Sequence, residues 1–134
     1  MPVPTTTIVA AALITEGDRI LIAQRPKGKA NAGKWEFPGG KAEPGEDPRR
    51  ALERECLEEL DIEVAAGPVY ETIFHEQPTK NFLLIFYEAV ILSGDPTPME
   101  SNEIAWVTVD ELESIDLIES DLPLIRELRD RFPR

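Results

Sequence analysis

The alternation of apolar and polar residues predicts strands along most of the chain. Residues 5–15 are rich in Thr, Val, Ile and Ala and predict a first strand. Residues 19–24 predict a second strand, and the turn at residues 16–18 between them indicates a hairpin. Further strands are predicted at residues 64–74, 81–92 and 104–109.

Two segments have the periodicity of helices. In residues 47–60, Asp47 is placed to cap the helix, and Pro48 suits the first helical position because its missing N–H costs nothing there. Residues 122–132 carry an apolar stripe at helical spacing. Strands and helices without strict alternation predict an α/β (α+β) fold in which helices flank a mixed sheet. The 134 residues suit one domain, residues 1–134.

The composition narrows the classes of function. With 42% hydrophobic and 30% charged residues, the chain is typical of a globular protein. A net charge of −12 argues against binding a nucleic-acid polymer, which requires clustered Lys and Arg. A phosphate substrate is still compatible, since divalent cations can bridge carboxylates to phosphate oxygens. The single cysteine, Cys56, and the single histidine, His75, exclude an intrachain disulfide, a cysteine-based zinc site and a His-pair metal motif.

The N-terminal apolar segment does not suggest membrane targeting. Residues 8–14 are too short for a membrane span, and no basic segment precedes them as in a signal peptide. We therefore expect a cytoplasmic protein that does not bind membranes.

The segment that carries the candidate catalytic and metal-binding residues is the helix at residues 47–60. Glu55, Glu58 and Glu59 stand at i, i+3 and i+4 and therefore share one face. Like charges at this spacing destabilise a helix, so a compensating cation is indicated, and Mg²⁺ prefers such oxygen ligands. Alternatively, the glutamates form a solvated face. The loop at residues 38–45, with Gly39-Gly40 and Gly45, favours the first interpretation because it allows backbone groups to approach the helix closely.

The same segment resembles the Nudix box. That pattern is Gly, five residues, Glu, seven residues, then Arg-Glu, an aliphatic residue, any residue, Glu-Glu, any residue, Gly and an aliphatic residue. The matching residues are Gly40, Glu46, Arg54, Glu55, Glu58, Glu59 and Ile62, with Cys56 as an apolar substitute. Asp61 departs from the pattern, which has Gly there. If that position is a left-handed helix C-cap, Asp is tolerated at modest cost.

The resemblance extends to the MutT branch of the Nudix family through Arg25, residues 34–41, 94–106 and 120–125. It implies an α/β/α sandwich with a central mixed sheet. It also implies hydrolysis of a nucleoside triphosphate to a monophosphate and pyrophosphate. The cofactor implied is Mg²⁺, with Mn²⁺ as a substitute.

The resemblance further implies the roles of individual residues. Glu58 and Glu59 would be the principal metal ligands, helped by the carbonyl of Gly39. Glu55 would be the general base or a further metal ligand, and these two roles stay open. Arg54 and Glu46 would form a structural ion pair. Some MutT-like enzymes carry a further glutamate where this chain has Ala105, which leaves Glu103 and Glu100 as candidates for that role.

Substrate contacts are expected from residues outside the helix. Arg25 would meet a phosphate, or it is an exposed cation at the end of a strand. The remaining candidates are Glu36, Phe37, Pro38 and Lys41 along the pocket. Phe37 is alternatively a core aromatic residue. Asp121 would hydrogen-bond the base, or cap the final helix, or both.

These residues lead to one main hypothesis and several alternatives. The main one is a MutT-like (d)NTP pyrophosphohydrolase acting on a small-molecule nucleotide, such as 8-oxo-dGTP. The alternatives are a Nudix enzyme for CTP, ADP-ribose or a dinucleotide, and a non-catalytic nucleotide sensor. We expect a monomer or a homodimer.

Overall fold

A computed structural model describes residues 3–133 of the chain. Met1, Pro2 and Arg134, which belong to the predicted domain 1–134, lie outside the described residues. The strands are β1 (Thr5–Glu16), β2 (Arg19–Gln24), β3 (Trp35–Glu36), β4 (Gly39–Lys41), β5 (Glu63–Glu76), β6 (Lys80–Ser93) and β7 (Ile104–Val107). The helices are α1 (Pro48–Leu60), α2 (Val109–Leu112), a 3₁₀ helix (Glu119–Asp121) and α3 (Leu124–Arg131).

The strands form a mixed sheet in the order β3-β2-β1-β6-β5, with β4 paired to β1 and β7 paired to β2. β1 and β6 are parallel, from Thr5 opposite Lys80 to Ile14 opposite Ala89. The other pairs are antiparallel, and β1 and β2 form the predicted hairpin. The predicted mixed sheet is confirmed.

The centre of β1 is buried on both faces, as expected for a strand between helical layers. On one face, β1 packs against α1, with the residues Ala10, Ala12, Ile14, Leu52, Cys56 and Leu60. On the other face it packs against α2 and α3, with the residues Ala11, Leu13, Leu112, Leu124 and Leu128. The helices therefore cover both faces of the sheet, and the predicted α/β/α sandwich is confirmed.

The ends of α1 follow from its sequence. The Asp47 carboxylate accepts a hydrogen bond from the main-chain N–H of Arg49 at 2.9 Å, and Pro48 is the first helical residue. At the other end, Asp61 is in the left-handed region with φ 55° and ψ 39°, and its N–H donates to the Leu57 carbonyl. The predicted N-cap and left-handed C-cap are both confirmed.

Replacing Asp61 with Gly is expected to stabilise the protein by about 0.5–1 kcal/mol, because Gly adopts the left-handed region without a Cβ penalty. Asp61→Ala is expected to destabilise it by a similar amount. Urea unfolding of the three proteins measures both changes. An Asp61→Gly protein that is less stable than the wild type would show that the left-handed backbone at Asp61 carries no Cβ penalty.

Two predicted elements near the C-terminus are wrong in their bounds. The strand predicted at residues 104–109 ends at Val107, because Thr108 and Glu111 form a reciprocal capping box that begins α2. The helix predicted at residues 122–132 begins only at Leu124, after a 3₁₀ turn. In the described part of the chain, no helix has the length and apolar character needed to cross a membrane.

Candidate active site

Two glycines bring the chain into contact with β1 and with α1. A Cβ on Gly39, whose φ is 141°, would lie 2.0 Å from the Ala10 carbonyl oxygen. A Cβ on Gly40 would lie 2.5 Å from the Cδ of Glu55. Only glycine therefore lets β4 pass between β1 and the Glu55 carboxylate.

The main chain at Gly39 is turned toward the carboxylates. Hydrogen bonds from Ala12 N–H to Pro38 O and from Ala42 N–H to Ile8 O flank this part of the β1–β4 ladder. Because bonded and non-bonded pairs alternate along an antiparallel ladder, Gly39 falls in a non-bonded position opposite Ala11. Its N–H faces the carboxylate of Glu59 and lowers the pKa of that group.

Glu55 and Glu59 lie at the inner edge of α1, beside its fully buried apolar stripe. Burial is the main cause that raises the pKa of Glu59 to about 9, and the nearby Glu36, Glu55 and Glu100 carboxylates add to it. Burial also raises the pKa of Glu55, which is hydrogen-bonded to Glu59. This pair of carboxylates is thus held partly out of water among other acids, where an added positive charge is strongly favoured.

Arg54 organises the outer edge of the carboxylate face. Its guanidinium donates two hydrogen bonds of 2.9 Å to the carboxylate of Glu46, the ion pair expected from the sequence. The Arg54 hydrogen bonds are the main reason that the pKa of Glu46 falls to about 2. The third nitrogen, Nη1, lies 3.1 Å from Glu55 Oε1 and 3.3 Å from Glu58 Oε2. Arg54 therefore holds the loop that contains Glu46 against α1, and its positive charge partly neutralises Glu55 and Glu58.

The donor set fits a hard divalent cation. Its groups are carboxylate oxygens on one helix face, next to a main chain that only glycine can follow. In the described residues, no three acidic, histidine or cysteine side chains already converge at ligand distance. Glu55 and Glu59 are adjacent, whereas Glu58 is exposed and paired with Arg54. Joint ligation by all three would require Glu58 to leave Arg54.

A cavity of about 510 Å³ opens beside Glu59. Its charged lining residues are Arg25, Lys27, Lys29, Glu36, Glu59 and Glu100. Glu100, one of the two candidates to replace the acid missing at Ala105, thus shares the cavity with Glu59. Glu103, the other candidate, is not part of this lining. A cavity with acids and cations in its wall can take a metal-bound phosphate chain.

Arg25 is held by protein groups inside this cavity wall. Its Nη1 forms an ion pair with Glu36 Oε2 at 2.8 Å, and its Nε donates to the Ala30 carbonyl at 2.6 Å. Glu36 itself has a raised pKa because burial outweighs the effect of Arg25. Arg25 is therefore neither an exposed strand-end cation nor a fully free phosphate ligand.

Asp121 is the only buried charged side chain in the described part of the chain, with 3% exposure. Its Oδ2 accepts a hydrogen bond from the Phe37 N–H at 3.2 Å. Burial is the main cause that raises its pKa to about 7, and the nearby Glu36 carboxylate adds to the rise. The alternative role of Asp121 as N-cap is wrong, because α3 begins at Leu124 after Pro123 and has no side-chain cap.

The other predicted pocket residues lie in different places. The ring of Phe37 is in the core, edge-on to Phe86 at 5.6 Å between centroids, which favours its interpretation as a core aromatic residue. Pro38 is buried beside it. Lys41 is exposed at the end of β4, and its ammonium lies 5.8 Å from the ring centroid of Phe82. Neither Phe37 nor Lys41 belongs to the cavity lining.

The structure thus brings together part of the site expected from the sequence and adds to it. Arg25, Glu36 and Glu59 share one cavity, and Asp121, which is not part of its lining, lies close enough to Glu36 and Arg25 for their charges to shift its pKa. Two lining residues that the sequence patterns did not single out are Lys27 and Lys29. Their signal was present as cations in the loop after β2, but loop sequences do not reveal which way they face.

Comparison with known proteins agrees with this architecture. The sequence model of the NUDIX domain family matches residues 4–128 of this chain. A putative 8-oxo-dGTP diphosphatase 2 of Mycobacterium tuberculosis is 36% identical over 122 residues, covering 90% of this chain and 86% of the relative. The CTP pyrophosphohydrolase of Escherichia coli is 36% identical over 117 residues, covering 87% of each chain. The solution structure of the E. coli ORF135 protein superposes with a TM-score of 0.84 at 31% identity, covering 99% and 96% of the two chains.

The fold and the carboxylate helix define a hydrolase of nucleotide-type substrates, a class that generally uses divalent metal ions. This chain belongs to the Nudix family and is a MutT-like Nudix hydrolase.

Proposed function

We propose that the protein is a Mg²⁺-dependent pyrophosphohydrolase that converts a nucleoside or deoxynucleoside triphosphate to the monophosphate and pyrophosphate. The observation that carries the proposal is the position of Glu59. It belongs both to the carboxylate face of α1 and to the wall of the cavity that also holds Arg25 and two lysines. A metal held at Glu59 would meet a phosphate chain in that cavity.

Glu58 and Glu59 would hold the divalent ion, together with the carbonyl of Gly39. When bound, the ion supplies charge neutralisation and a more acidic water. In the reaction, a water oxygen forms a bond to the α- or the β-phosphorus while the bond from that phosphorus to the oxygen bridging the two breaks. The electron pair leaves with pyrophosphate when the α-phosphorus is attacked and with the nucleoside monophosphate when the β-phosphorus is attacked. Glu55 would either join this metal set or accept the water proton; it is hydrogen-bonded to Glu59, and burial raises its pKa.

We propose that Asp121 recognises the nucleobase of the substrate. The relatives are named for 8-oxo-dGTP and for CTP at the same 36% identity. We propose an oxidised purine nucleotide such as 8-oxo-dGTP as the first candidate and CTP as the second. A carboxyl group with a pKa of about 7 can accept or donate a hydrogen bond near neutral pH, so it suits a base edge that offers both kinds of group.

A panel of nucleotides tests the proposed function. Triphosphates, including 8-oxo-dGTP, dGTP and CTP, are incubated with Mg²⁺ beside ADP-ribose and a dinucleotide, and pyrophosphate and orthophosphate are measured separately. We expect pyrophosphate and a nucleoside monophosphate from a triphosphate. Release of orthophosphate alone, preference for ADP-ribose or a dinucleotide, or absence of turnover would contradict the proposal.

Asp121→Ala is expected to change the ranking of bases in this panel by about tenfold or more, with a smaller change in kcat for the best substrate. The physical reason is that Asp121 is not one of the carboxylates of α1 and lies instead near Glu36 and Arg25 of the cavity wall. The matched control is Asp116→Ala, whose carboxylate is 71% exposed. An equal loss of rate for every nucleotide would remove Asp121 from base recognition.

A further inference from the structure

We propose that Lys27 and Lys29 bind the two terminal phosphates of the triphosphate, which become the pyrophosphate product, and that Arg25 positions these lysines rather than binding phosphate itself. This inference rests on the proposed function, because it assigns the pyrophosphate end of a triphosphate to one part of the cavity. It assigns to the two lysines the phosphate contact for which the sequence made Arg25 a candidate.

The loop that carries both lysines has a defined shape. The Arg25 N–H donates to Lys34 O, and the Gly33 N–H donates to Arg25 O, so the two ends of the loop are joined. Across the loop, the Arg25 side chain donates to Ala30 O at 2.6 Å. Gly28 and Gly33 have φ of 86° and 84°, a left-handed backbone suited to a tight loop. Arg25 thus holds the loop in shape through hydrogen bonds from both its main chain and its side chain.

The loop has an unusual charge for this protein. Residues 25–34 contain four of the 14 cationic residues and no acid, in a chain of net charge −12. Two of the four have partners: Arg25 pairs with Glu36, and Lys34 lies 3.8 Å from Asp116. Over residues 3–133, Lys27 and Lys29 form no ion pair, and both line the cavity. Their charges are therefore available to a ligand.

The opposite charges in the cavity wall fit the two parts of a metal-bound triphosphate. Glu36, Glu59 and Glu100 repel phosphate unless a cation stands between them. A triphosphate carries more negative charge than one divalent ion neutralises, and lysine is a common point-charge ligand for the remainder.

The test compares a double variant, Lys27→Gln with Lys29→Gln, with Lys34→Gln from the same loop as control. Calorimetry measures the binding of pyrophosphate in the presence of Mg²⁺, and of the nucleoside monophosphate that the best substrate yields. We expect the double variant to bind pyrophosphate about tenfold more weakly or worse, and to bind the monophosphate unchanged. Its kcat/KM for the triphosphate should fall by a similar factor. Lys34→Gln should match the wild type, and a double Lys→Arg variant should retain most pyrophosphate binding.

Unchanged pyrophosphate binding in the double Gln variant would overturn the assignment. Equal weakening by Lys34→Gln would also overturn it, since the effect would then be one of net charge. Loss of monophosphate binding together with pyrophosphate binding would indicate a distorted loop and would count against it as well. Failure of the proposed function would look different: the wild-type protein would then release no pyrophosphate from any nucleotide in the panel.

Discussion

Replacing Glu59 with Gln is expected to lower kcat by about 100-fold or more, while the metal-free protein stays folded and at least as stable as the wild type. The loss follows because Glu59 is the carboxylate common to the α1 face and the cavity. The retained stability follows because burial and three neighbouring acids raise the pKa of Glu59 to about 9, so folding near neutral pH forces this group to take up a proton, whereas Gln needs none. Steady-state kinetics and urea unfolding without metal measure the two effects.

The matched control for Glu59→Gln is Glu53→Gln on the same helix. Glu53 accepts a hydrogen bond from the Ala66 N–H at 3.2 Å, which Gln can also accept, so activity and stability should change little. Mg²⁺ should raise the melting temperature of the wild type and of Glu53→Gln, but much less that of Glu59→Gln, because a ligand stabilises only the protein that binds it. Wild-type kcat in Glu59→Gln would remove this residue from the metal site. Glu58→Gln should also lose orders of magnitude in turnover if Glu58 leaves Arg54 to bind metal.

Replacing Asp121 with Asn is expected to stabilise the protein by about 2–4 kcal/mol at pH 8 and by much less near pH 4. Asp121 is buried and its pKa is raised from 3.8 to about 7. The folded state therefore binds the proton more tightly than the unfolded state. Between about pH 4 and pH 7 the contribution of Asp121 to stability falls as pH rises, and above pH 7 the full cost of its buried charge is present.

The difference in unfolding free energy between Asp121→Asn and the wild type isolates this effect from the other acids. Urea unfolding at several pH values from 4 to 8 should show that difference growing with pH. Glu36 raises the pKa of Asp121 and Arg25 lowers it, so both residues are kept as in the wild type in this comparison. Asp116→Asn, at an exposed position, should give a difference that stays flat with pH. A flat difference for Asp121→Asn would show that Asp121 is charged throughout this range.

Much of the fold was predictable because its signals are local. The hairpin of β1 and β2 followed from apolar strands around a turn, and α1 followed from a capping Asp47 and Pro48. The α/β/α sandwich came from the resemblance to the Nudix family. The errors occurred at the ends of elements. The apolar run over residues 104–109 concealed the capping box of Thr108 and Glu111, which ends β7 at Val107, and the 3₁₀ turn that holds Asp121 delays the start of α3.

The candidate site was predictable for the same reason where it lies on one helix. The spacing of Glu55, Glu58 and Glu59 fixes their shared face whatever the surroundings. The partners of these residues were not predictable, since they come from distant parts of the chain. The capture of Glu58 by Arg54 and the hydrogen bond from Phe37 to Asp121 depend on side-chain positions that no spacing defines.

By itself, the sequence determined which residues form α1, which of its faces is acidic and that two glycines precede it, because helical periodicity and backbone freedom are properties of neighbouring residues. Only the tertiary structure decided that Glu59 meets a cavity lined by Lys27 and Lys29, that Arg25 braces their loop and that Asp121 is buried. Burial and electrostatic coupling arise between segments far apart in the chain, and they exist only once the sheet has brought those segments together.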